Sequence, residues 1–297
     1  MEEEEQKEEE KKTIKHIVMS GGGIAGFSFY GALRESNKNG AWNIDNIKTM
    51  HGTSIGAIFS VILAFKYDWD IIDDFLIKRP WHNVFNFNLQ NILSIFEGRG
   101  IFDVKVIEET FLPLFKGKDV SIDTTMKEFY EFSNIELHFF SVNINNFDLI
   151  DFSYKTHPDW RVIDALYCSC SLPFLLQPFI KDDFCYTDGG IIMNYPVKQC
   201  IENGADPEEI FGICRKPIIK MAGTNIGLTS TLFDYILNIF YKTIERVLNK
   251  QEAIKINKEF YIHCPPLSIS DIFNTTSSMD ERIRLIQIGV DAFNSTI

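Results

Sequence analysis

The sequence predicts an α/β domain built on a mostly parallel sheet with helices on its faces, and three observations carry that expectation. Within the first 66 residues a short apolar run twice enters a glycine turn and twice continues into a helix-like segment. Further along, strand-like and helix-like stretches keep alternating. The chain has 297 residues, 45% hydrophobic and 24% charged, which fits one large α/β domain or two small ones with a sizeable core.

In order, residues 1–12 hold seven Glu and no apolar periodicity, so they are expected to be a disordered, solvated acidic tail. Ile14 to Met19 is short and β-branched and stops at Ser20-Gly21-Gly22-Gly23, as a buried strand entering a tight turn does. A helix is expected from Ile24 to Asn37, with Gly40 as its terminator. A second strand, Ile47 to His51, runs into Gly52-Thr53-Ser54-Ile55-Gly56-Ala57 and then the apolar helix Ile55 to Phe65.

Beyond Asp68 the pattern predicts a helix near Trp69 to Ile77, a Phe/Asn-rich stretch from Trp81 to Phe102 and a helix from Val104 to Phe115. A strand at Ile135 to Val142, a helix at Arg161 to Cys168 and a strand ending near Tyr186 follow, then a helix from Pro196 to Asn203 and a strand at Ile210 to Cys214. The last 80 residues read as helical. Phe233, Ile236, Phe240, Ile244 and Val247 fall on one face of an amphipathic helix expected to dock on the domain. No repeat of 20 to 50 residues is visible.

The net charge of −12 repels phosphate backbones and anionic headgroups, so nucleic-acid binding is disfavoured and any membrane contact is expected to be mainly hydrophobic. The longest apolar run, Gly56 to Phe65, falls short of the roughly 20 residues that span a bilayer. The acidic start lacks the basic and apolar regions of a signal peptide. An intracellular, cytoplasmic protein with peripheral membrane contact at most is expected. The six cysteines form no CxxC pair and are read as reduced core residues. No carboxylate cluster suggests a metal, and no cofactor is expected.

Gly52-Thr53-Ser54-Ile55-Gly56 is a G-x-S-x-G between a strand and a helix. There the backbone must turn so sharply that flanking side chains would clash, and the serine hydroxyl is lifted clear of the sheet. Ser54 then sits at a helix N-terminus, which favours developing negative charge and makes it a candidate nucleophile. Gly21-Gly22-Gly23-Ile24-Ala25-Gly26 leaves backbone N–H groups able to approach a phosphate or an oxyanion. It also fits G-x-G-x-x-G, but a dinucleotide site wants an acidic residue at the end of the second strand, and Asp45 precedes that strand. Asp188, with Gly189 and Gly190 behind it, is either a candidate base or an ordinary D-G turn. His263 lies downstream of Asp188 in the order of a Ser-acid-His triad, yet a structural role for it and for His51 is the plainer reading. Trp81, Phe85, Phe87, Phe96 and Phe102 either line a hydrophobic mouth or fill core.

Taken in order, GGGIAG, GTSIGA and DGG resemble the motifs of the patatin-like phospholipase family. Ala165-Leu-Tyr-Cys-Ser169-Cys-Ser-Leu-Pro173-Phe174, Pro178, YTDGG, NYPV and Gly100-Ile-Phe-Asp103 extend the resemblance over about residues 14–215, leaving 216–297 as a helical extension packed on the same domain. The resemblance implies a three-layer fold and a lipid acyl hydrolase with a Ser54–Asp188 dyad. It further implies an oxyanion hole from Gly21, Gly22 and Gly23 with the N–H of Ile55, and the motif glycines Gly26, Gly52, Gly56, Gly189 and Gly190. The implied partner is a lipid at a membrane or micelle surface. Ala25 stands where many members carry Lys or Arg, which leaves neutral glycerides and lysolipids open as substrates beside phospholipids. A catalytically silent lipid-binding or scaffold protein of the same fold is the alternative.

Overall fold

The computed structural model describes residues 12–87, 95–217, 226–228, 230–232, 234–236, 238–239, 242, 254–256, 258–264 and 268–296. Its centre is a sheet containing β1 (His16–Met19), β2 (Thr49–Thr53), β4 (Glu136–Asn143), β5 (Asp148–Phe152), β7 (Phe179–Lys181), β8 (Phe184–Asp188), β9 (Ile210–Pro217) and β10 (Lys258–Cys264). The order is β10-β9-β1-β2-β4-β8-β7, with β5 also paired to β4. From β10 to β4 the strands are parallel, and β5, β7 and β8 are antiparallel to their partners. A separate pair joins β3 (Gly100–Phe102) to β6 (Phe174–Leu176).

Alternation along β1 shows that both faces are covered. Ile17 and Met19 belong to the large core with α1 (Gly26–Lys38) and α2 (Ile55–Ala64), whereas Val18 joins a second core with Val197 and Cys200 of α6 (Val197–Glu202). Helices α3 (Lys105–Gly117), α4 (Met126–Ser133) and α5 (Val162–Cys170) complete the middle of the chain. Phe65, Phe115 and Phe129 meet edge to face at 4.8 and 5.1 Å around Phe65, so much of the phenylalanine content fills core. Trp81, Phe85, Phe87 and Phe102 pack on one another, with Trp81 and Phe102 buried and Phe85 and Phe87 half-buried. The side chain of Phe96 lies outside the described residues.

One expectation changes. Residues 258–264, within the part read as helical, form β10 and extend the parallel sheet beside β9, because alternating Phe260 and Ile262 bury one side of an edge strand. The helices at the end, α7 (Ile269–Ser277) and α8 (Met279–Asn294), are present. Helix α8 packs so closely on α1 that a Cβ at Gly289 would strike the carbonyl oxygen of Ser28, and one at Gly31 that of Ile286. The Ser28 hydroxyl donates to Leu285 O at 2.7 Å across the same seam. Phe233, Phe240, Ile244 and Val247, and with them the docking of that amphipathic helix, lie outside the described residues, as does the tail up to residue 11.

Candidate active site

Ser54 is the single residue between the end of β2 and the start of α2, with φ 54° and ψ −121°. A side chain held at such a φ costs on the order of 1–3 kcal/mol and persists only where its surroundings fix it. Here they do. The Thr53 hydroxyl donates to Met193 O at 2.8 Å, and the Ser54 N–H donates to the Ser169 hydroxyl at 3.0 Å, which in turn donates to Phe140 O at 2.7 Å. The Ser54 carbonyl accepts from Ala57 N–H at 2.9 Å and from the Cys170 thiol at 3.3 Å. The flanking glycines are needed for contact: a Cβ on Gly52 would lie 2.5 Å from Ala57 N, and one on Gly56 would strike Met19 O.

Asp188 closes β8 and is 5% exposed. Its register partner on β4 is Ser141, next to Phe140, which pairs with Thr53 of β2. Phe139 and Phe140 pair with β2 and β5, and Ser141 to Asn143 with β5 and β8, so β2 and β8 share one edge of β4 and end against each other. That meeting brings the Ser54 hydroxyl beside the Asp188 carboxylate, where it favours the ionised form. The Gly190 N–H donates to Asp188 Oδ1 at 2.7 Å. Burial pushes the carboxyl up to about 6, against the downward pull of the Ser54 hydroxyl and the Gly190 N–H. Gly189 is pressed on Phe140 O with no room for a Cβ, and residues 189–191 continue as a 3₁₀ turn rather than the D-G turn of a hairpin.

The first glycine turn lies alongside: a Cβ built on Gly21 would be 3.5 Å from Ser54 Cβ. The N–H groups of Gly22, Gly23 and Ile55 donate to no acceptor among the described residues, as expected at the starts of a 3₁₀ turn and of α2. Gly21 departs from the expected donor set. Its N–H is engaged by Asn194 O at 2.9 Å, so it holds the turn to the segment after Asp188. Gly26 makes room for Ile55 and Phe59, letting α1 and α2 close on each other.

The remaining candidates lie elsewhere. His51 is buried with its ring stacked 4.1 Å from His138, and His263 is exposed on the edge strand β10. Asp45 is exposed in a 3₁₀ turn ahead of β2, away from a dinucleotide position. Ser169, Cys170 and Asn194, which hold the serine and the glycine turn in place, were visible only as members of conserved-looking blocks with no assigned role. A serine hydroxyl beside a buried carboxylate, with unengaged N–H groups at the starts of two neighbouring turns, is a set of groups suited to acyl transfer.

A family model described as patatin-like phospholipase matches residues 17–201. An uncharacterised protein of Acanthamoeba polyphaga mimivirus is 27% identical over 264 residues, 83% of this chain and 84% of that protein. A probable lipid hydrolase of Invertebrate iridescent virus 6 is 30% identical over 193 residues, 63% of each chain. Among solved structures, VipD from Legionella pneumophila superposes with a TM-score of 0.56 at 16% identity, covering 96% of this chain and 66% of that one. The chain therefore spans less than two thirds of the length of the last two.

Proposed function

The chain belongs to the patatin-like phospholipase family, and from that premise we propose that it is a lipid acyl hydrolase in which Ser54 is the nucleophile and Asp188 its base. The observation that carries the proposal is that the Ser54 hydroxyl lies beside a buried carboxylate and pulls its pKa down, with no histidine between them. Ser54 Oγ attacks the ester carbonyl as its proton passes to Asp188, and the carbonyl oxygen gathers charge toward the N–H groups of Gly22, Gly23 and Ile55. Asp188 then returns the proton to the departing alcohol, leaving an acyl-enzyme. Water, deprotonated by Asp188, attacks the acyl-enzyme and releases the fatty acid.

The surroundings suit a lipid. Leu172 and Ile272 form an apolar cluster with Ile24, Phe87 and Leu175, and Ile24 belongs to the glycine turn itself. An acyl chain entering there would meet hydrocarbon, while the polar groups of the turn are left for the ester. The test is to incubate the full chain with mixed phospholipid and glyceride vesicles and identify released fatty acids by mass spectrometry. Wild-type protein should release them and Ser54→Ala should not; equal release by both would remove Ser54 from the reaction.

A further inference from the structure

Residues 192–194 tie the three motif turns together. The N–H groups of Ile192 and Met193 donate to Gly189 O at 3.1 and 2.8 Å, Met193 O accepts the Thr53 hydroxyl at 2.8 Å, and Asn194 O accepts the Gly21 N–H at 2.9 Å. The backbone of Asn194 is therefore fixed against both glycine turns. Its side-chain oxygen points back at the nucleophile and the base. A Cβ built on Gly21 would lie 2.6 Å from Asn194 Oδ1 and 3.5 Å from Ser54 Cβ, and one built on Gly190 would lie 3.0 Å from Asp188 Oδ1 and 3.1 Å from Asn194 Oδ1. The amide oxygen thus has Ser54 on one side and Asp188 on the other, with glycines where side chains would fill the gaps.

Asn194 is half-buried, and its side-chain amide makes no hydrogen bond among the described residues. A polar group so placed takes its partner from water or substrate. The amide oxygen accepts hydrogen bonds but, unlike Asp188, does not take up a proton. Two neighbouring acceptors of which one is a base suit a molecule with two O–H bonds, and in the second step of the proposed reaction water is that molecule. It gives one proton to Asp188 and keeps its other O–H on Asn194 Oδ1, which leaves a lone pair for the acyl carbon. The new C–O bond forms, the bond to Ser54 Oγ breaks, and Asp188 returns the proton to Ser54 Oγ. An alcohol has a single O–H, which Asp188 needs, and its carbon would then face Asn194 Oδ1.

We propose that Asn194 selects water over alcohols as the acyl acceptor, so that the acyl group is hydrolysed rather than transferred. This rests on the Ser54–Asp188 reading of the site. In the test, the full chain receives para-nitrophenyl octanoate in a buffered methanol–water mixture, and octanoic acid and methyl octanoate are quantified by mass spectrometry, with Ser54→Ala as the blank. Both products need the same base and the same acyl-enzyme, so their ratio does not depend on how much of the protein is active. Asn194→Ala should raise the ratio of methyl ester to acid about fivefold, the effect of losing one hydrogen bond to the attacking water. Asn194→Asp keeps an acceptor oxygen and should hold the wild-type ratio, even though a second carboxylate changes the rate. Asn194→Leu, of similar size and without an acceptor, should act as Asn194→Ala does and decides the matter if the smaller residue fails to fold. An equal rise in Asn194→Ala and Asn194→Asp overturns the proposal, because the acceptor oxygen would then be irrelevant. Wild-type protein that releases no octanoic acid above the blank overturns the hydrolase reading and this proposal together. Acid release with a product ratio indifferent to Asn194→Ala or Asn194→Leu overturns this proposal alone.

Discussion

Ser54 and Asp188 meet because the strands that carry them end head to head along one edge of β4, Thr53 across from Phe140 and Asp188 across from Ser141. The pairing is therefore set by register and not by a loop. The buried carboxylate it creates has consequences for both activity and stability.

Asp188→Asn should lower ester hydrolysis on the order of 10² to 10⁴ fold, since it keeps the shape but removes the proton acceptor. It should also stabilise the fold at neutral pH. A folded pKa of about 6, above the ordinary 3.8, means that the stabilisation from this group is complete below pH 3.8 and lost as pH rises through about 6. The ionised carboxylate then costs on the order of 3 kcal/mol. Urea denaturation at pH 8 should favour the Asn variant, with the gap shrinking toward pH 4. A wild type more stable at pH 8 would refute the assigned burial cost.

The pH profile of kcat/KM should rise with an acid limb near 6, the region to which burial lifts Asp188. His51→Gln and His263→Gln should leave that limb in place. Its disappearance in His263→Gln would point to a histidine base instead.

Ser169→Ala should lower kcat about tenfold with little change in KM. The Ser54 N–H and Phe140 O both lose their partner at 3.0 and 2.7 Å, and a misaligned nucleophile affects turnover more than binding. Ser169→Thr, which keeps the hydroxyl, should recover most of the loss. A KM effect alone would argue against a positioning role.

Gly289→Ala should destabilise the whole domain by about 1–3 kcal/mol, because its Cβ would strike Ser28 O on α1. An unchanged melting temperature would show that α8 is not part of the cooperative fold.

Much of this architecture was legible in local pattern. Both strand–turn–helix units announce themselves through glycines at fixed spacing, and Gly52, Gly56 and Gly189 turn out to be required by backbone contact. What the pattern hid depends on tertiary register. Three successive glycines look alike in sequence, and only the fold shows that Gly21 gives its N–H to Asn194 while Gly22 and Gly23 keep theirs. Ser169 acts through hydrogen bonds to residues distant in the chain, so no spacing rule reveals it. Strand β10 was missed because its flanks read as helical and an edge strand needs only one apolar side.

The most direct test of the Ser54–Asp188 reading is the rate and site of labelling by a fluorophosphonate, followed by intact-protein and peptide mass spectrometry. Wild-type chain should take one equivalent on the peptide containing Ser54, Ser54→Ala none, and Asp188→Asn the same adduct at a much slower rate. Full labelling of Ser54→Ala, or undiminished labelling of Asp188→Asn, would contradict the dyad.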